Sequence, residues 1–203
     1  MHLITQSLLG SWNYLMSCRE ECSESAMNDF LDALNRVKKE PSQEQLNGIN
    51  FEKEVYDRLA GAQTRTSPEW ESGVSKISDY LKGSLIQVKL YRRLQSESGE
   101  FLVYGILDAL KAGEIFDVKY SNKSFGSTEL AGKYLSSPQH PTYFYLLPEA
   151  YKFTYLVSDG DDLYTEIYRN EGEEPFLKLL KEFMDFLKAS SLEKTYFDRW
   201  EAL

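Results

Sequence analysis

Residues 100–120, EFLVYGILDALKAGEIFDVKY, decide the reading of the fold. Residues 100–110 are a nearly continuous apolar run, which suits a central strand covered on both faces. Lys111-Ala112-Gly113 is a tight turn, and residues 114–120 are the return strand of a hairpin. Polar side chains interrupt both strands: Asp108 in the first, Asp117 and Lys119 in the second. Side chains alternate along a strand, so Asp117 and Lys119 share one face while Phe116 and Val118 take the other. The turn brings Asp108 near Asp117. Two carboxylates and an ammonium on an apolar strand pair are costly to bury without compensation. Carboxylate oxygens suit Mg²⁺ or Mn²⁺, ions that acidify a bound water and polarise a phosphoryl oxygen. The residues alone leave a second reading open. Asp108 is then a strand-end turn residue, and Asp117 and Lys119 an exposed pair on an edge strand.

Outward from the hairpin, periodicity predicts helices at 4–20 (Leu8, Leu9, Trp12, Leu15, Met16), at 25–39 (Met27, Phe30, Leu31, Leu34 and Val37 inward, stopped by Pro41), at 42–59 and at 68–82. Residues 84–94 alternate as a strand, with Leu85, Gln87, Lys89 and Tyr91 on one side and Ile86, Val88, Leu90 and Arg92 on the other. Downstream come helices at 127–135 and 138–147 and strands at 151–158 and 162–169. An amphipathic helix opens at Pro175, and a short helix spans 192–201. The expectation is an α/β fold with a mixed central β-sheet flanked by helices and an N-terminal helical segment. One domain would cover 1–203, with 1–82 mainly helical, 83–170 a strand core with interleaved helices, and 171–203 C-terminal helices.

Composition narrows the function. The chain has 203 residues, 42% of them hydrophobic and 14% aromatic, enough for a core, so disorder is excluded as its main state. No apolar run is long enough to span a membrane. The N-terminus lacks the features of a signal peptide. Two cysteines, Cys18 and Cys22, read as ordinary helix residues in a reducing, cytoplasmic setting. They are too few for a zinc or iron–sulfur site. The two histidines, His2 and His140, leave carboxylates and lysine to carry any chemistry.

The net charge of −9 excludes a general polycation. It is unevenly spread: residues 20–57 carry ten acids against four bases, and residues 160–203 carry eleven against six. Residues 80–95 hold Lys82, Lys89, Arg92 and Arg93 with no acid. The strand region is thus the least acidic, as a phosphate-binding face requires. Ser121, Asn122, Lys123 and Ser124 follow the second hairpin strand as candidate phosphate donors, Lys123 being the charged one.

The arrangement Gly105-Ile106-Leu107-Asp108, a turn, then Ile115-Phe116-Asp117-Val118-Lys119 resembles the PD-(D/E)XK nuclease superfamily, in particular its RecB-like exonuclease branch. Upstream, Gly48-Ile49-Asn50-Phe51-Glu52 is similar to the family's first-helix motif. Downstream, Gln139-His140-Pro141-Thr142-Tyr143 matches the branch's Q-x-x-x-Y motif. The resemblance spans roughly 45–147 and implies a restriction-endonuclease-like core. It implies Asp108 and Asp117 as metal ligands, joined by the Val118 carbonyl and by Glu52, and Lys119 as catalytic lysine. It implies Gln139 and Tyr143 as substrate contacts. Glu54 competes with Glu52 for the helix ligand, and the second acid is Asp where Glu is commoner. Branch members with an iron–sulfur cluster use four cysteines, so no cluster is expected.

The implied activity is a Mg²⁺- or Mn²⁺-dependent deoxyribonuclease, an exonuclease acting on linear or single-stranded DNA ends in phage or prophage recombination or in repair. The other reading is a non-catalytic nucleic-acid-binding or assembly protein that keeps the fold. No membrane partner is expected, and an oligomer is left open.

Overall fold

The computed structural model describes residues 1–62, 66–127 and 130–202. Their elements, in chain order, are β1 (His2–Thr5), α1 (Gln6–Ser17), α2 (Ser23–Leu34), α3 (Gln43–Leu59), α4 (Glu71–Leu81), β2 (Leu85–Ser96), β3 (Gly99–Lys111), β4 (Glu114–Tyr120), α5 (Gln139–Leu146), β5 (Lys152–Ser158), β6 (Leu163–Arg169), α6 (Glu174–Ala189) and α7 (Glu193–Arg199). The strands form one six-stranded mixed sheet.

The hub is β3. One of its edges pairs antiparallel with β2 over nearly its whole length. The other edge is divided: β1 runs parallel against Phe101–Tyr104, and β4 runs antiparallel against Ala109–Lys111. β4 then pairs parallel with β5 over its full length, and β5 antiparallel with β6. The β3–β4 turn sets Ala112 at φ 51 and Gly113 at φ 78, the left-handed pair that matches the twist of a tight hairpin.

Alternation puts a core on each face of the sheet. In β4, Ile115 belongs to the core that holds Trp12, Phe30, Phe153, Phe176, Phe183 and Tyr196, while Phe116 and Val118 belong to the core that holds Phe51 and Val55 of α3, Val74 and Ile77 of α4, and Trp70. The first core is thus roofed by α1, α2 and α5–α7 and the second by α3 and α4. Of the apolar face expected on α6, Phe176, Leu180, Phe183 and Leu187 are buried, and Leu179 is half-buried against the same core.

Several expected boundaries shift, each for a local reason. The first helix begins only at Gln6, because His2–Thr5 joins the sheet beside β3 and Thr5 caps the helix from the Leu8 amide. The second helix ends at Leu34, not 39: Arg36 turns left-handed at φ 58, and Val37 is exposed. The helix expected over 42–59 runs Gln43–Leu59, with Ser42 as its cap and Ser42 and Gln45 forming a reciprocal box. The helix expected over 68–82 starts at Glu71, since Ser67 is held by Glu54 and 68–70 form a turn. Of the helix expected over 127–135, residues 131–135 are turn, and residues 128 and 129 lie outside the described ones.

The cysteine reading is also corrected. α1 stops at Ser17, a short 3-10 turn covers Glu20–Cys22, and Cys18 is paired with Cys22 as a disulfide. The cysteines therefore no longer argue for a reducing compartment. Among the described residues no helix is long and apolar enough to cross a membrane.

The simple alternation expected of 84–94 breaks at one residue. Ile86 packs with the α3/α4 core, whereas Val88, Leu90 and Leu94 pack with the other. The switch falls at Gln87, whose φ of 55 is left-handed and whose place is skipped in the β2–β3 ladder. β3 switches at the facing position: Ala109 belongs to the α3/α4 core, Leu107, Val103 and Phe101 to the other. Asp108 sits at that kink.

Candidate active site

The β3–β4 ladder stops at Ala109↔Phe116. Beyond it the strands part, and the backbone amide of Val118 has no β3 carbonyl to meet. Asp108 takes that amide instead, accepting from Val118 N at 2.8 Å. A side chain thus replaces the ladder where the sheet opens, and a buried backbone donor is satisfied.

Asp117 is 2% exposed. Its Oδ1 accepts a hydrogen bond from the Gln139 side-chain amide, and its Oδ2 faces the Lys119 ammonium at 2.5 Å, with no further partner. Burial raises Asp108 well above the ordinary carboxylate range, and the neighbouring charges of Asp117 and Glu52 add to it. Burial also raises Asp117, though Lys119 and Gln139 pull back. Burial alone would lower Lys119; the two aspartates outweigh it and hold the ammonium protonated.

α5 supplies the next contacts. Gln139 is its first residue, so Pro141 falls within the first turn, where the missing amide is harmless. Tyr143 is buried and donates from its hydroxyl to the Ile106 carbonyl at 2.8 Å. The ring lies over Gly105: a Cβ there would stand 2.5 Å from Tyr143 Cε1. Gln139 and Tyr143 are therefore both turned onto protein groups, one on Asp117 and one on β3.

On the opposite side, Phe51 and Val55 bind α3 to the sheet, which leaves Glu52 facing the opening. Its Oε1 accepts from the Tyr56 hydroxyl at 2.7 Å and from Gln87 Nε2 at 3.5 Å. Asp108 feels its charge. Glu54 faces elsewhere, accepting from Ser67 N and Oγ, each at 3.0 Å. The structure thus brings together Asp108, Asp117, Val118, Lys119, Glu52, Gln139 and Tyr143. Lys123 stays exposed on the loop after β4, with its backbone tied to the Ser121 hydroxyl, while Asn122 is bonded to Asn47.

Sequence reading missed three neighbours. Gln87 and Tyr56 meet on Glu52. Tyr134 stacks on Tyr155 at 4.2 Å, and burial pushes its hydroxyl up to about 12 against the pull of Lys119. None has a residue-type signal; the kink at Gln87 is the one local oddity, and it lies in the backbone. His140 stacks on Tyr168 at 4.0 Å, and burial lowers it to about 4, so it is neutral near pH 7.

Lys119, Val118 and Glu52 open into a cleft of about 1220 Å³. Its outer wall is acidic: Asp29, Asp32, Glu40 and Glu44, with Lys39 bridging Asp29 at 2.8 Å and Asp32 at 2.6 Å. The expectation that acidity lies away from the site is corrected, because α2 and the start of α3 fold over it.

Among the described residues no three His, Cys, Asp or Glu side chains converge as a ready-made metal cage. The donor set nevertheless fits a hard divalent cation. It is all oxygen, it joins two carboxylates to a backbone carbonyl and to Glu52, and Asp117 Oδ2 is buried with only a cation beside it.

The arrangement of sheet and helices is shared with other proteins. Solved structures that share it include an alkaline exonuclease from Laribacter hongkongensis, LHK-Exo (12% identity, TM-score 0.54, covering 97% of this chain and 91% of that one). The same enzyme in complex with dAMP matches at 13% identity and TM-score 0.54, with the same coverage. The crystal structure of SSO0001 matches at 12% identity and TM-score 0.55, covering 92% of this chain and 77% of that one. At such identity the likeness fixes the fold alone. No protein-family model matches the chain, and no curated protein does.

Proposed function

We propose that the chain is a Mg²⁺- or Mn²⁺-dependent deoxyribonuclease of the RecB-like type, an exonuclease that works from DNA ends in recombination or repair, acting as one nuclease-like domain over 1–203. The observation that carries this is the cluster at the parting of β3 and β4, where Asp108, Asp117 and Lys119 meet in a polar opening between two apolar cores. The fold shared with an alkaline exonuclease supports it.

Asp108, Asp117, Glu52 and the Val118 carbonyl would hold the cation. When bound, it supplies a water acidified enough to attack a phosphodiester and a positive charge on the phosphoryl oxygen. The protein's own part is placement. Gln139 holds Asp117 through Oδ1, while Oδ2, which faces the Lys119 ammonium, would be the oxygen offered to the cation. The Val118 amide fixes Asp108. Lys119 stays protonated beside the aspartates, where it orients the nucleophile or stabilises charge developing on phosphorus oxygens. Tyr143 keeps α5 seated on β3, so that Gln139 keeps its reach. Lys123, exposed beyond β4, is available to substrate phosphate.

Purified protein should degrade linear DNA with Mg²⁺ or Mn²⁺ and stop with chelator. Lys119→Ala should abolish cleavage while the protein remains folded. Cleavage that survives this change removes the mechanism, and a wild-type protein that binds DNA without cutting it under any divalent ion favours the non-catalytic reading.

A further inference from the structure

The α3/α4 roof covers only part of its face of the sheet. It ends at Ile86 on β2 and Ala109 on β3. Beyond the kink at Gln87, that face presents Lys89, Tyr91 and Arg93, all exposed, beside Leu102, Tyr104 and Ile106 of β3. Tyr91, on the edge strand β2, is 74% exposed. Among the described residues neither Lys89 nor Arg93 makes an ion pair, whereas their neighbour Arg92 points the other way and is held by Glu173 at 2.7 Å and by the Tyr145 carbonyl. The row is continuous with the site: Gln87 contacts Glu52, and Asp108 follows Leu107 and Ile106 on the paired strand.

We propose that this bare face of β2 and β3 is a track for one strand of nucleic acid running into the Asp108–Asp117 opening, an inference that rests on the nuclease reading. Alternate residues on a strand stand ~7 Å apart, close to the spacing of successive phosphates in an extended strand. Two unpaired cations flanking an upright aromatic ring are the elements of a single-strand platform, in which the cations take phosphates and the ring stacks a base. The opposite lip of the site is acidic, with Asp29, Asp32, Glu40 and Glu44. A polyanion is therefore admitted from the β2 side and repelled from the other.

The test uses a fluorescein-labelled single-stranded oligonucleotide in chelator, where nothing is cut, read by anisotropy over a salt series. Hydrolysis of bis(p-nitrophenyl) phosphate with Mn²⁺ reads the chemistry separately, since so small a diester needs no track. Lys89→Gln/Arg93→Gln should bind the oligonucleotide at least tenfold more weakly and lower the salt slope by about 1.4, since a single strand gives ~0.7 per phosphate contact. Tyr91→Ala should weaken binding about tenfold. All three substitutions lie on the surface and should leave the melting temperature and diester hydrolysis unchanged. Variants that bind as wild type with an unchanged slope overturn the track, as does a wild-type protein with no affinity for the oligonucleotide. If wild type hydrolyses no diester but the variants still lose oligonucleotide binding, the nuclease reading falls and the track stands.

Discussion

Replacing Lys119 with methionine tests whether the ammonium holds the two aspartates in place. The substitution keeps an unbranched side chain, one atom shorter, and removes its charge. Lys119 stands 2.5 Å from Asp117 Oδ2, and the side-chain exposures are 35% and 3%. Removing one partner of a fully buried pair costs ~3–5 kcal/mol. Water screens part of the interaction here, and Asp117 can escape some of the rest by binding a proton, so the expected loss near neutrality is ~2–3 kcal/mol. The pH dependence gives a second handle. Burial already raises Asp108 and Asp117, and losing the ammonium raises them further. A carboxylate whose folded pKa lies above its unfolded value contributes stability that is present at low pH and lost as pH rises through the folded pKa. The gap between wild type and Lys119→Met should therefore narrow as pH falls from neutral toward the ordinary carboxylate range. Urea denaturation at several pH values measures it. Adding Asp117→Asn should recover most of the loss, because both charges are then gone. A loss below ~0.5 kcal/mol, or a gap that widens on acidification, refutes the reasoning.

Two further outcomes follow from the packing around the site. Gly105→Ala drives a Cβ to 2.5 Å from the buried Tyr143 ring and should cost ~1–3 kcal/mol in chemical denaturation; a neutral effect would mean that α5 does not rest on β3 as described. Glu52 and Glu54, two residues apart on α3, should separate cleanly. Glu54→Ala removes the acceptor of two Ser67 hydrogen bonds and should lower stability by ~1–2 kcal/mol with little change in DNA cleavage. Glu52→Gln should leave stability nearly unchanged and slow metal-dependent cleavage at least tenfold. The reverse pattern would name Glu54 as the helix ligand.

The parts of this molecule that were legible in the sequence are those governed by local pattern. The β3–β4 hairpin followed from an apolar run, a tight turn at 111–113 and a second strand. Asp108, Asp117 and Lys119 stood out because polar groups rarely sit inside such strands. Glu52 could be picked from a charged helix only through resemblance to a known motif, and its competitor Glu54 was separated only when Ser67 was seen to hold it. The unread parts depend on distant partners. β1 has four residues and becomes a strand only because β3 offers an open edge far along the chain. Gln87 is an ordinary strand residue by type, and its left-handed backbone reflects the need of β2 and β3 to change cores together. Gly105 looked like a motif letter, and its physical reason is the Tyr143 ring lying on it.

Charge was read along the chain, and the fold rearranges it in space. The acidic stretch 20–57 seemed to lie apart from the strand region, yet α2 and α3 close over the opening and make one lip of the cleft strongly negative. The cations of 80–95 separate too: Arg92 turns onto Glu173 while Lys89 and Arg93 face solvent. A net charge of −9 is therefore compatible with a polyanionic partner if that partner approaches from one side alone. The same geometry bears on the cation. Lys119 pairs with Asp117 and is also held by the charge of Asp108, and both aspartates still carry raised affinities for protons. A group of acids that binds protons more tightly than usual is short of positive charge, which on the proposed reading a divalent ion would supply. On the proposed reading the acidic lip would have a role beyond repulsion: it would raise the local concentration of such ions at the mouth of the site while turning phosphate toward the β2 face.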